Sequence, residues 1–309
     1  MIVRVMKTLT HPTSARNLTA WFVSFPPAKE MPDYTVLQDA LEKQAGLLHE
    51  TGDVNELLIE NLGDTDLFIQ AGDIVKGGRQ DRTLGVDFIV PARSGKIPIP
   101  VFCVEAARWH KRRGESDAQF SKSSDFASSK KLKAAIRTTK SQREVWASVE
   151  EEQEKLGGSI GLCAKSASSP TSLQLSYEMK ETASAVEEYL AVLEPSPPTE
   201  SLGVVWAING KLSHADIYGS PVLFRKVWKK LLRAAAFEAI SERNGEAVGN
   251  PGEIAEISAW LEEASPATSE EEILPPRTRL STRMAETQIR FETRDTTVAA
   301  PIHLSILAR

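Results

Sequence analysis

Apolar residues first gather at residues 17–25, NLTAWFVSF, in a run without helical period that stops at Pro26-Pro27. Such a run predicts a strand, because proline has no N–H to give to a ladder and ends it. A short helix is expected next: Thr35 and Gln38 have capping-box spacing, Leu37, Ala40 and Leu41 share a face, and Gly46 supplies a stop. Beyond it the chain breaks into short apolar runs, NELLIENL, DLFIQA, IV, TLGVDFIV and IPIPVFCVEA, punctuated by Gly63-Asp64 and Gly72-Asp73. Strands so short and evenly spaced predict a β-rich half over residues 17–110, a meander or sandwich rather than alternating strand–helix units. Residues 113–131, RGESDAQFSKSSDFASSKK, hold seven serines or glycines and show no period, so they read as a flexible loop.

From residue 141 the period becomes helical, and residues 141–265 form a mainly helical half. SQREVWASVEEEQEKLGG opens on a capping box, Ser141 with Glu144, closes at Gly157, and buries Val145, Trp146 and Val149. Val186, Tyr189, Leu190 and Leu193 mark a second helix that ends at Pro195. Residues 203–219 interrupt this half with a hairpin turning at Asn209-Gly210. Residues 220–240 form a helix with two stripes, one apolar (Phe224, Val227, Trp228, Leu231, Ala235) and one basic (Arg225, Lys226, Lys229, Lys230, Arg233). Ile254, Ile257 and Leu261 mark a last helix over 253–263. Residues 277–308 hold strands, and their easiest partner is an edge of the earlier sheet. The chain is therefore expected to be α+β, a single interwoven domain over 1–309 with C-terminal strands returning to the sheet.

Composition changes this picture little. At 309 residues, 41% hydrophobic and 26% charged, the chain is long enough for a sizeable core and carries a net charge of only −5. Eleven basic residues against three acidic ones lie between Arg108 and Arg143, and seven glutamates with no basic residue between Glu253 and Glu272. Aromatic residues do not interleave either basic run and the net charge is negative, which argues against nucleic acid. Two cysteines sixty positions apart give neither a disulfide framework nor a Cys-rich zinc site, and no metal ligands stand at a diagnostic spacing. No run reaches the roughly 18 apolar residues of a membrane span, and the N-terminus lacks a signal-peptide core. A cytoplasmic protein with no membrane partner is the expectation.

Candidate chemistry concentrates in GDIVKGGRQDRTLGVDFIVP, residues 72–91. Gly77-Gly78 allows positive φ or close backbone approach, and Lys76, Arg79, Gln80 and Arg82 surround the pair. In the neighbouring run, strand alternation puts Val101, Cys103 and Glu105 on one face, and a carboxylate there needs a partner. Arg82 or Lys76 is the expected one. Two uses fit these residues. In the first, glycine amides with Arg79 and Arg82 cradle a phosphate, Trp109 stacks on a base, and Glu105 orients a ribose or acts as the acid–base residue. In the second, a Glu105–Arg82 pair is a structural staple that fixes strand register. Cys103 reads as a small buried residue, and His214 with Asp216 as alternating positions of one strand.

Four segments carry a resemblance: AGDIVKGGRQDRTL, IPVFCVEAARW, SQREVWASVEE and GVVWAINGKLSHADIYGS. In this order the chain resembles, over residues 17–308, a prokaryotic family named for its association with ADP-ribosylglycohydrolase (ARG) and rhodanese-phosphatase proteins. The matching positions are Gly72, Gly77, Gly78, Gln80 and Arg82, then Cys103, Glu105, Arg108 and Trp109, then Gln142, Val145, Trp146 and Gly210. Ala107 stands where the pattern has glycine, which weakens any role that needs a tight turn there. The resemblance implies a place near NAD or ADP-ribose metabolism. The resulting expectation is a ligand site for a nucleotide or ADP-ribose-like phosphate compound, with Lys76, Gly77, Gly78, Arg79, Gln80, Arg82, Arg108 and Trp109 as its walls. Glu105 is its candidate catalytic residue, and whether turnover occurs is left open, as are the cofactor and the oligomeric state. The alternative is a non-catalytic protein-interaction or scaffold domain.

Overall fold

The computed structural model describes residues 8–24, 31–105, 116, 118–159, 172–195, 197–243, 253–262, 268–298 and 300–309. Strands β1 (Thr8–Leu9), β2 (Thr13–Ala15) and β3 (Leu18–Ser24) open the chain. β4 (Thr35–Val36) runs directly into α1 (Leu37–Glu42), which buries Leu37, Ala40 and Leu41 as their spacing predicts. The expected capping box does not form. Thr35 lies in β4 opposite Leu67, so Val36 becomes the N-cap without a side-chain bond. Gln44, at φ 53°, turns the chain before Gly46. β5 (Gly46–Glu50), β6 (Glu56–Asn61), β7 (Leu67–Ile69), β8 (Asp73–Gly77), β9 (Arg82–Leu84), β10 (Phe88–Val90) and β11 (Ile97–Cys103) follow.

β12 (Gln119–Ala127) corrects the expectation of a loop over 113–131: residues 119–127 are a strand hydrogen-bonded to both β5 and β8. Register shifts after Phe120 and Ser123 break its alternation, which hides it in the sequence. Ser129 then caps α2 (Lys130–Ala134) by accepting from the Leu132 N–H, and the π-helical segment Ala135–Thr139 continues it. Residues 113–115 and 117 lie outside the described residues. α3 (Gln142–Ser159) buries Val145 and Val149 but leaves Trp146 37% exposed, and it runs past Gly157. After α4 (Leu173–Glu178), α5 (Lys180–Leu193) buries Val186, Tyr189, Leu190 and Leu193.

β13 (Gly203–Ile208) and β14 (Lys211–Tyr218) are the predicted hairpin. Asn209 at φ 52° and Gly210 at φ 74° make the doubly left-handed turn that matches strand twist. Ser220 caps α6 (Pro221–Ser241) through the Leu223 N–H. Its basic stripe is largely taken up by local partners: Lys226 pairs with Asp33, Lys229 with Glu194 and Arg233 with Glu187, while Arg225 donates to the Thr199 carbonyl and Lys230 is buried. α7 (Ile254–Glu262) buries Ile257 and Leu261 and leaves Ile254 exposed. β15 (Thr268–Leu274), β16 (Thr278–Met284), β17 (Gln288–Asp295) and β18 (Pro301–Ala308) complete the chain. β15 falls in the glutamate-rich stretch, where three consecutive acids conceal a strand. No helix among the described residues is long and apolar enough to cross a membrane.

The protein is α+β, and its residues separate into two compact units, Met1–Asp33 with Glu187–Arg309, and Tyr34–Val186. The first is built on a nine-stranded antiparallel sheet in the order β1-β3-β13-β14-β18-β17-β16-β15, with β2 also on β3. The C-terminal strands do return to the sheet that holds β3, through the β14–β18 ladder. One face packs Trp21, Val23, Val205, Ile217 and Ile306 against Ile257 and Leu261 of α7. The other meets α6 through aromatic contacts: Phe22 and Trp206 on Trp228, and Tyr218 on Phe224.

In the second unit the short strands close into a six-stranded barrel, β11-β6-β5-β12-β8-β9, beside a three-stranded sheet β10-β7-β4. The barrel takes the place of the expected meander or sandwich, since β12 joins β5 to β8 from a stretch read as a loop.

Candidate functional site

Directly paired residues share a face of a ladder, so the register assigns an inside and an outside to the barrel. Leu48, Ile59, Leu57, Ile99, Val101, Leu84 and Val75 fall on one face and are fully buried. Leu47, Leu58, Lys76 and Pro98 fall on the other and are partly or wholly exposed. The buried face is the lumen, and it is lined with aliphatic side chains. Two charged residues share that inward register at one end, Glu50 opposite Leu57 and Arg82 opposite Cys103. β5 and β9 stand three places apart in either direction around the ring. The approach of Arg82 Nη2 to Glu50 Oε1, at 3.7 Å, therefore spans the mouth of the barrel from one wall to the other.

The turn between β8 and β9 folds over this pair. Gly77 takes φ 134°, and a Cβ there would lie 3.0 Å from the Gln119 carbonyl and 3.1 Å from the Phe120 Cα. Gly78 takes φ 54°, and a Cβ would lie 2.5 Å from Glu50 Oε1 and 2.7 Å from Phe120 Cζ. The absent side chains let a carboxylate and an aromatic ring close on the backbone. The Gly77 amide donates to Asp81 Oδ1 at 3.3 Å, and the Arg79 amide to Glu50 Oε1 at 3.2 Å. Arg79 is exposed. Gln80 is buried and donates from Nε2 to the Glu105 carbonyl at 2.9 Å.

Arg82 has no exposed surface. Its Nη1 donates to the Gln80 carbonyl at 3.0 Å and lies 3.4 Å from Gln80 Oε1. Its Nε and Nη2 have no hydrogen-bond partner among the described residues. A buried guanidinium short of two partners is uncommon, because each unmet donor costs about 1–3 kcal/mol.

β11 ends at Cys103, so Glu105 leaves strand geometry and makes an isolated bridge with Ser172. Its carboxylate accepts from the Asp81 amide at 3.2 Å. The Cys103 thiol donates to the Glu105 carbonyl at 2.8 Å. Burial pushes that thiol's pKa up, outweighing this bond and the nearby Arg82 charge. Gln142, at the start of α3, accepts from the Cys103 N–H and donates to the Cys103 carbonyl, both at 2.8 Å. Its amide thus continues the ladder where the strand stops.

The structure brings Gly77, Gly78, Arg79, Gln80, Arg82 and Glu105 together at one end of the barrel. The carboxylate that approaches Arg82 is Glu50 rather than the expected Glu105, and Lys76 points outward to Glu178 at 4.0 Å. Arg108 and Trp109 lie outside the described residues. Sequence reasoning missed Glu50 and Asp81. The alternation of Leu48 and Glu50 in GLLHE could have flagged an inward carboxylate, though not its partner.

Comparison with known protein families matches residues 7–305 to the ARG and Rhodanese-Phosphatase-superfamily-associated Protein domain. The chain belongs to this family. No curated protein and no solved structure matches it. Of the positions that carry the ARG- and rhodanese-phosphatase-associated pattern, Gly72 lies at the other end of β8, where its amide donates to the Leu84 carbonyl. Gly210 forms the β13–β14 turn, and Val145 anchors α3. In the family's last segment His214 and Asp216 are both buried, with His303 Nε2 3.1 Å from Asp216 Oδ1 and Tyr218 stacked on His303 at 4.5 Å.

Proposed function

We propose that this chain binds a phosphate-bearing small molecule, a nucleotide or ADP-ribose-like compound, at the mouth of its barrel. The supporting observation is the Arg82 guanidinium, buried with two donors unmet beneath a glycine turn that already presents an amide to an anion. Guanidinium and backbone N–H groups in a concave turn are the usual chemistry of phosphate recognition. Arg79, exposed on the same turn, supplies a second cation. In this reading Arg82 and Arg79 hold phosphate, Gln80 fixes the turn, and Glu105 is the residue able to orient a ribose or exchange a proton. The family's association with ARG and rhodanese-phosphatase proteins fits a ligand of the ADP-ribose class.

A second reading is supported by the Glu50–Arg82 approach across the lumen. There the polar cluster is a structural staple, and the chain acts by binding other proteins. A thermal-shift series with ADP-ribose, NAD, mononucleotides and sugar phosphates separates the two. A ligand at a hundred times its Kd raises stability by about 2.7 kcal/mol. Binding predicts such a rise in the wild type and its loss in Arg79→Ala, a substitution at an exposed position. The staple predicts no rise with any compound, while Arg82→Ala loses about 3–5 kcal/mol of stability because Glu50 is left buried and unpaired.

A further inference from the structure

We infer that Glu50 is a built-in anion occupying the phosphate seat, and that a phosphate group enters by displacing its carboxylate. This deepens the reading above and rests on it for the identity of the natural ligand, though not for the seat itself. Four features point to a seat made for an anion. Glycine at 78 admits an oxygen to within van der Waals distance of the backbone. The next amide, that of Arg79, donates to that oxygen at 3.2 Å. Arg82 points to the same oxygen from the opposite wall, and its Nε and Nη2 lack hydrogen-bond partners among the described residues.

The resident carboxylate fills this seat incompletely. Glu50 Oε1 reaches the Arg79 amide but stops 3.7 Å from Arg82 Nη2, beyond hydrogen-bond range. A tetrahedral phosphate has additional oxygens with which to meet both the amide and the guanidinium. The other carboxylates of the cluster already accept backbone amides, Asp81 from Gly77 and Glu105 from Asp81. Glu50 ends its strand, and the exposed residues Thr51 to Asp53 follow it, so a rotation of its side chain needs no rearrangement of the ladder. Glu50 thereby keeps free phosphate out and sets a threshold that only a ligand with further contacts exceeds.

The test is calorimetric titration of the full chain with inorganic phosphate, for wild type, Glu50→Gln, Glu50→Asp and Glu50→Gln/Arg79→Ala. Glu50→Gln keeps an oxygen for the Arg79 amide but removes the competing charge, and Glu50→Asp withdraws the charge by one methylene. Phosphate affinity should rise about tenfold or more in Glu50→Gln, since a like charge facing the anion is removed. It should rise less in Glu50→Asp and fall back in the double variant. Equal phosphate affinity in wild type and Glu50→Gln overturns the inference, and so does failure of both single variants to fold, which would make Glu50 a staple. A tenfold gain for phosphate without any effect of nucleotides or ADP-ribose on the wild type keeps the seat and removes the proposed ligand class.

Discussion

Position 78 combines two demands that only glycine meets. Its φ of 54° disfavours any Cβ, and the space a Cβ would take belongs to Glu50 and Phe120. Gly78→Ala is therefore expected to lose about 1–3 kcal/mol, visible as a lower urea midpoint at unchanged slope. A midpoint equal to that of the wild type would show that the turn relaxes freely. Cys103 makes a second residue-scale prediction. With its thiol buried and its pKa pushed up, alkylation at pH 8, read by peptide mass spectrometry, should run about a hundredfold slower in native buffer than in denaturant. Comparable rates would mean that the thiol is open to solvent.

At this scale the sequence was informative about composition and silent about partners. Gly77, Gly78, Gln80 and Arg82 announced a constrained polar turn, and the structure brings them together with Glu105. Local alternation in GLLHE marks Glu50 as an inward carboxylate, but not its partner thirty-two residues later. Its contact with Arg82 exists only because the ring closes and sets β5 opposite β9. Local periodicity reports which face a residue takes, whereas contacts across a lumen depend on strand order.

Elements with a strong period were the most legible. α5 and α6 bury the residues their spacing selects, and Asn209-Gly210 turns the hairpin as its two residue types require. β12 and β15 were hidden for opposite reasons, one by shifted register and the other by consecutive glutamates. The end of the β16–β17 ladder where Thr278 pairs with Asp295 offers an element-scale test. Asp295 Oδ1 accepts from the Thr297 N–H at 2.9 Å and hydroxyl at 2.7 Å, while Oδ2 accepts from Arg277 Nε at 3.0 Å. Burial raises its pKa, but these bonds and the Arg277 charge outweigh burial and hold the carboxyl below the usual range. A depressed folded-state pKa contributes stability that is present above about pH 4 and lost as pH falls through the folded value. The melting temperature of Asp295→Asn should therefore lie below that of the wild type at pH 7 and converge on it as the pH is lowered below about 4. A gap that stays constant from pH 7 to pH 3 would contradict this.

For the whole molecule, the division into units separates what is contiguous in sequence from what is not. Residues 34–186 form one unit from an unbroken stretch, whereas the other draws its sheet from both ends of the chain. Ile306, fully buried on β18, lies in a strand paired on both sides. Ile306→Asp should abolish amide-exchange protection in β3, β13, β14, β17 and β18 together, while barrel strands β5, β6 and β11 stay protected. Loss of protection in all of them at once would show that the units unfold as one.

The same division sets an order of events at the ribosome. β3, with Trp21, Phe22 and Val23, emerges about 180 residues ahead of its neighbour β13. At roughly 5–20 residues per second that interval is about 10–35 seconds. The barrel strands are complete well before it ends. During that time the nascent chain trails an apolar segment with an unpaired edge, so β1, β2 and β3 must wait for β13. Until β13 arrives, the edge of β3 that it covers lacks its ladder, so this unit can close only after the barrel strands have been made.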